Sequence, residues 1–393
     1  MSAVRNGVGW VARAAVRYRY PLLMVWTLPW FFLAQKYRTG GLNDWLDFEF
    51  GARTLIHYNS HYNTGALHLY ANYPFIQIGP PPLVLVAAVQ WLPHDTSSEW
   101  LAWFMALAGV WAVRCGESTA RALLPAARAG QIKVTALCGG FLAVGMWAYQ
   151  AEEWRHLDDV MAICFILAAT SLVARQRWWW LAGILVGLGV ASKPWAIVAA
   201  PVLLGLVRTE RPKAALAALG AAAVCWAPFV LGAPGTLHAL GGFLLAVNPH
   251  STLHLLGVHS AVAPKWVRPL QMVVGFVLMV VLARRSHWVA VPFAGFAFRV
   301  VTDPQVWLYY GLGPLMAAVL WDALHERRWP LWTMATLAIE YGVPTFFPSL
   351  SSSARLVWAV AVLVSCARYG RSLPAPADAA PTPALVPELQ PAG

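Results

Sequence analysis

The chain has 393 residues, of which 59% are apolar and only 11% charged, with a net charge of +11. Soluble domains carry roughly 25% charged residues, so a single water-surrounded core cannot hide this much apolar surface, and a soluble globular domain is excluded. The positive balance does not mark a nucleic-acid binder, because the basic residues sit in small clusters between apolar runs, where the orientation of membrane spans accounts for them.

The first apolar run, Pro21 to Ala34, follows Arg13, Arg17 and Arg19 and has no small-residue cleavage site after it. It reads as a retained first span, not a signal peptide. Next comes Asn43-Asp44-Trp45-Leu46-Asp47-Phe48-Glu49; on a helix, Asp44 and Asp47 share a face. A carboxylate at a membrane surface can take a proton from a hydroxyl as general base, or hold a divalent cation. The run also reads as a solvated loop with a helix-starting Asn or Asp cap. The stretch from Tyr70 through Tyr73-Pro74 to Gly79-Pro80-Pro81-Pro82 mixes aromatics with rigid turns. Its tyrosines can stack on a sugar or sit in an interfacial belt. Gly79 to Trp91, about 13 residues, is short for a span and reads as re-entrant or interfacial.

Glu152-Glu153-Trp154-Arg155-His156-Leu157-Asp158-Asp159 opens an apolar helix continuing from Val160 to Val173. Acids at a membrane boundary are costly and mark a site or a paired scaffold; Arg155 and His156 are near enough to serve the second role. Lys193, followed by a helix-breaking proline, interrupts the apolar stretch from Trp178 to Val207. Its charge needs an anion, either a lipid phosphate or a carboxylate such as Asp158. Arg299 precedes Asp303-Pro304 and the Tyr309-Tyr310 pair; its planar fork suits a phosphate, or it pairs with Asp303 at a helix end. His250, His254 and His259 have near-helical spacing and read as loop polar groups with a role in substrate binding, not as a metal site. The five cysteines are odd in number, lie in or beside apolar runs and lack paired metal spacing, against a disulfide framework or a zinc site. Phosphate-loop, nucleophile-elbow and zinc-protease motifs are absent from the sequence.

With the N-terminus in the cytoplasm, the basic loops around Arg114 to Lys133, Arg175/Arg177, Arg208 to Lys213, Arg284/Arg285, Arg327/Arg328 and Arg368/Arg371 all fall inside, provided Gly79 to Trp91 does not cross. The same topology sends Asp44, Asp47, Glu49, Asp95, Glu99, Glu152, Glu153, Asp158, Asp159 and Asp303 to the outer face, which points to a polar site there. The expected architecture is all-α: a polytopic transmembrane bundle of about a dozen spans plus the non-crossing segment. Residues 1–371 form that domain, and 372–393, rich in Pro and Ala, read as a disordered cytoplasmic tail.

Taken together, Asp44 and Asp47 after the first span, the Tyr70-x-x-Tyr73-Pro…Gly79-Pro-Pro-Pro stretch, His156 to Asp159, Gly187 to Trp195, and Arg299…Asp303-Pro304…Tyr309-Tyr310 resemble the polytopic glycosyltransferases of the GT-C fold. The likeness is greatest to the actinobacterial family 87 of mannosyltransferase type. It implies a plasma-membrane hexosyltransferase of the cell envelope that moves a sugar, mannose first, from a polyprenyl phosphate to a lipid or glycan acceptor by inverting transfer at the extracytoplasmic face. It also implies Asp47 as catalytic base with Asp44 the fallback, and Arg299 and Lys193 stabilising the departing phosphate. His156, Asp158, Asp159, Tyr70, Tyr309 and Tyr310 would bind substrate. No cofactor is expected, with a divalent cation left open. One departure is that the family's Gln-x-Asn pattern is here replaced by Glu152 to Asp159. A transporter or flippase for lipid-linked sugars is the competing expectation, though transporters gather polar groups at the midplane. A structural membrane subunit would leave the carboxylate clusters unexplained.

Overall fold

The computed structural model describes residues 2–37, 42–56, 65–90, 94–242, 245–325 and 329–369. Among them helix dominates, and the only β pairing is an isolated bridge between Ala246 and Val262. Helices α1 (Ser2–Arg17) and α2 (Arg19–Tyr37) lead to α3 (Leu42–Ile56), then to the single turn α4 (Leu69–Asn72) and the short α5 (Pro80–Val89). The long α6 (His94–Leu123), α7 (Ala129–Glu153) and α8 (Leu157–Ala174) follow, with α9 (Trp179–Ser192) behind them. A 3-10 segment, Pro194–Gly205, comes next; Pro194 and Pro201 remove amides that a regular α-helical ladder would use. The chain continues through α10 (Arg211–Gly232), α11 (Gly235–Gly242), α12 (Thr252–Leu255), α13 (Val267–Leu282), α14 (Val291–Thr302), α15 (Leu312–Leu324), α16 (Leu331–Leu337), α17 (Val343–Phe346) and α18 (Ser351–Tyr369).

Among the described residues, five helical stretches are long and apolar enough to cross a membrane: Ala126–Glu153, Leu157–Ala174, Arg211–Gly232, Val267–Arg285 and Pro348–Arg368. Burial separates them. Of α8, 89% lies inside the protein, against 11% of the most apolar part of α10, which turns Leu216, Leu219, Val224 and Leu231 outward. Apolar surface exposed on this scale needs hydrocarbon or a partner, not water, and the chain is a membrane protein. The run Leu181 to Ala191 falls in α9, whose 14 residues rise only about 21 Å. The segment from Gly79 forms α5, whose 10 residues rise about 15 Å, half the hydrocarbon thickness.

α8 is the central post, packed by α6, α9, the 3-10 segment, α14 and α15. α9 and α10 approach through small residues: a Cβ on Gly183 or Gly187 would stand 2.2 Å from the carbonyl oxygen of Ala214 or Ala218. Such stripes let backbones touch where water supplies no driving force. At one end of the bundle Arg19 forks onto Glu117 through Nε and Nη2, each 2.6 Å from a carboxylate oxygen, and Tyr20 Oη adds a bond of 2.7 Å. Ser118 and Ser171 join their hydroxyls there, 2.6 Å apart. The start of α2 and the ends of α6 and α8 thus close one end. On the same side Asp322 of α15 accepts from the amides of Trp332 (3.0 Å) and Thr333 (2.8 Å), donors that the first turn of α16 would otherwise leave unpaired.

Candidate functional site

The opposite end is built where helices break. α7 runs to Glu153, Arg155 adopts a left-handed conformation with φ 51°, and the chain reverses into α8 with Asp158 and Asp159 in its first turn. Carboxylates are favoured there because the free amides carry partial positive charge, and the Asp159 amide donates to Asp158 Oδ1 at 2.9 Å. α9 stops at Ser192 because Lys193 is extended (φ −149°, ψ 113°) and Pro194 follows. That break aims the Lys193 ammonium at Asp158 Oδ2, to which it bonds, and places it 3.4 Å from Asp159 Oδ2.

Arg299, in the last turn of α14, puts Nη2 3.5 Å from Asp159 Oδ1 and Nε 3.7 Å from Asp303 Oδ2. Trp195 Nε1 donates to Asp159 Oδ1 at 3.1 Å. Aromatic rings wall the cluster. The Arg299 guanidinium lies 3.7 Å from the ring centre of Tyr310 and 4.6 Å from that of Trp195. His156 stacks on Tyr309, centroids 3.7 Å apart at 19°, and its Nδ1 stands 3.4 Å from Asp158 Oδ1. Asp158, Asp159 and Arg299 are all buried, so the carboxylates and cations compensate each other where water cannot.

The Tyr70 to Pro82 stretch supports this cluster from behind. The Gly79 amide donates to the Ser192 carbonyl at 3.2 Å, and a Cβ on Gly79 would fall 1.8 Å from the Ala191 oxygen, so only glycine fits beside the break that carries Lys193. Tyr70 is buried against Trp226 and Phe229 and donates to the Ile78 carbonyl at 2.8 Å; it holds this loop and is not in the charged cluster.

The structure therefore unites His156, Asp158, Asp159, Lys193, Arg299, Tyr309 and Tyr310, which lie far apart in sequence. Asp47 is half-buried on α3, which packs on α5; α3 also carries Asp44, whose side chain lies outside the described residues. Arg155, expected to neutralise the aspartates, pairs instead with Glu152, 2.9 Å away. The anion beside Lys193 is carboxylate, and Arg299 pairs with both Asp159 and Asp303.

Sequence reading missed three contributors. Trp195 is one. The others are Glu340 and Arg355, a buried pair with Arg355 Nε 3.0 Å from Glu340 Oε2. Glu340 lies in a π-helical turn, Ala338–Gly342, and its Cβ would stand 2.9 Å from a Cβ on Gly311, beside Tyr309 and Tyr310. A lone acid in the apolar run that continues from α16 is the available signal. The ligand atoms of His156, Asp158 and Asp159 lie within 4.8 Å of one another, a spacing that could hold a metal ion. The Lys193 ammonium already sits between the two carboxylates, however, and a divalent cation would have to displace it.

Comparison of the chain with protein-family models, curated proteins and solved structures returns no match.

Proposed function

We propose that this chain is a membrane glycosyltransferase of the GT-C type, with about a dozen spans, moving a hexose, mannose first, from a polyprenyl-phosphate donor to a lipid or glycan acceptor at the outer face of the plasma membrane. The observation that carries this reading is the placement of two cations, Lys193 and Arg299, on either side of Asp159 in a cluster walled by aromatic rings. A departing phosphate gains most from cations already fixed where its charge develops, and the guanidinium fork matches its oxygens.

In the reaction, Asp47, or Asp44 in its place, takes the proton of the acceptor hydroxyl as that oxygen attacks the anomeric carbon. The bond from that carbon to the phosphate oxygen breaks, and the polyprenyl phosphate leaves with the electron pair toward Arg299 and Lys193. The anomeric configuration inverts. Stacked rings such as His156 and Tyr309 offer the sugar a face on which to lie.

The test is transfer by the purified protein in detergent, with radiolabelled polyprenyl-phosphate mannose and a panel of acceptors. Wild-type protein is expected to transfer label, and Asp47→Ala or Asp44→Ala to abolish it. Full activity in both variants would remove the base assignment. Movement of the intact donor across vesicle membranes without transfer would favour a flippase.

A further inference from the structure

We infer that His254 and His259 form a binding site for a divalent transition-metal ion of the zinc class, on the loop between α11 and α13. It stands independently of the glycosyltransferase reading. The loop is closed at its base by backbone bonds from Val247 to Ala261 (3.1 Å) and from Ala263 to Leu245 (2.7 Å), and Asn248 ties it to Pro304 (2.9 Å). Within it, the Ser251 hydroxyl caps α12 by accepting from the His254 amide at 3.2 Å. The helix ends at once. Gly257 takes φ +99° with no heavy atom within 4 Å of the place where a Cβ would be, so backbone conformation alone selects glycine there. The Val258 amide bonds to the Leu253 carbonyl at 3.0 Å and the Gly257 amide to that of His254 at 3.1 Å, which is the double closure of a glycine-terminated helix.

That turn carries His259 back onto His254. Its Nδ1 lies 3.3 Å from His254 Nε2, and the rings meet edge to face at 80°. Two imidazole nitrogens bound to one zinc at about 2.0–2.1 Å across a tetrahedral angle stand about 3.3 Å apart, so the pair, whose nitrogens share a hydrogen bond, already has the spacing of two ligands. Neutral imidazole is a favoured ligand for zinc, copper and nickel. His259 is exposed and His254 half-buried, which leaves the remaining coordination positions to water or an incoming ligand.

The experiment uses the full-length chain in detergent, stripped with chelator and titrated with Zn2+ against a chromophoric indicator. About one zinc per chain is expected. His254→Ala and His259→Ala should each weaken binding by about tenfold or more, on the scale at which disturbing a metal's surroundings is felt, with the double variant no weaker than the worse single. Cu2+ bound to the wild-type protein should show imidazole nitrogen couplings by electron paramagnetic resonance, a readout that needs no variant. Absence of zinc uptake, absence of those couplings, or zinc affinity unchanged in both single variants would overturn the assignment; loss of binding in His156→Ala alone would place the zinc at the aspartate cluster instead.

Discussion

Lys193 is held in the protein by two carboxylates, and the arrangement predicts what its removal does. Taking away one partner of a buried ion pair strands the other charge and costs about 3–5 kcal/mol. Lys193→Met is therefore expected to lower the thermal unfolding midpoint in detergent, and Asp158→Asn to do the same. The double variant Lys193→Met/Asp158→Asn should recover much of the loss while leaving transfer absent; additive destabilisation would show that the two groups are not a pair. Arg299 makes a sharper case. Arg299→Lys keeps the charge but loses the planar fork and its stack on Tyr310, and transfer is expected to fall about 100-fold, as when one fixed donor to a developing charge is lost. Much of this was legible from single residues: a lysine in an apolar stretch demands an anion, and Asp158 was a named candidate. Glu340 was not, because nothing local says that a π turn will press it toward Gly311.

At the scale of elements, the apolar runs mark the helices but not where they end. α7 absorbs Glu152 and Glu153, which the sequence pattern assigns to the start of the next helix, because Arg155 makes the reversal two residues later. The near-helical spacing of His250, His254 and His259 yields only the single turn of α12, since Gly257 stops it. Both decisions belong to backbone conformations that hydropathy does not encode. Ends that are tied from elsewhere should also be fragile. The Asp322 carboxylate accepts from two backbone amides of α16 and also from the Thr333 hydroxyl at 2.8 Å. Asp322→Ala is expected to cost about 1–3 kcal/mol by leaving those donors unmet, and Asp322→Asn to cost less, because its amide oxygen can still accept; differential thermal unfolding of the pair checks this. Gly79→Ala should detach the Tyr70 to Pro82 stretch from the α9 break and lower transfer without altering any charge.

For the whole molecule, the distribution of charge gives the bundle two unlike ends. Arg19, Arg175 and Arg211 lie toward one, where Glu117 is the acid that answers Arg19, and the aspartate cluster occupies the other. α6 links them. Glu99 and Arg121 are both exposed on this helix, and the 22 residues separating them correspond to about 33 Å of rise, enough to traverse the hydrocarbon layer. Single cysteines at these positions, in a background lacking the five native ones, should therefore react on opposite sides of the membrane. Glu99→Cys is expected to be labelled by an impermeant maleimide on intact cells, and Arg121→Cys only after permeabilisation. Labelling of both from outside would mean that α6 does not cross. The reverse pattern would turn the aspartate cluster toward the cytoplasm, where the positive-inside rule would be violated by the loops around Arg114 to Lys133 and where an outward-facing transferase could not work. The orientation of one helix thus decides which aqueous compartment the aspartate cluster faces, and with it the side from which the proposed transferase would draw its acceptor.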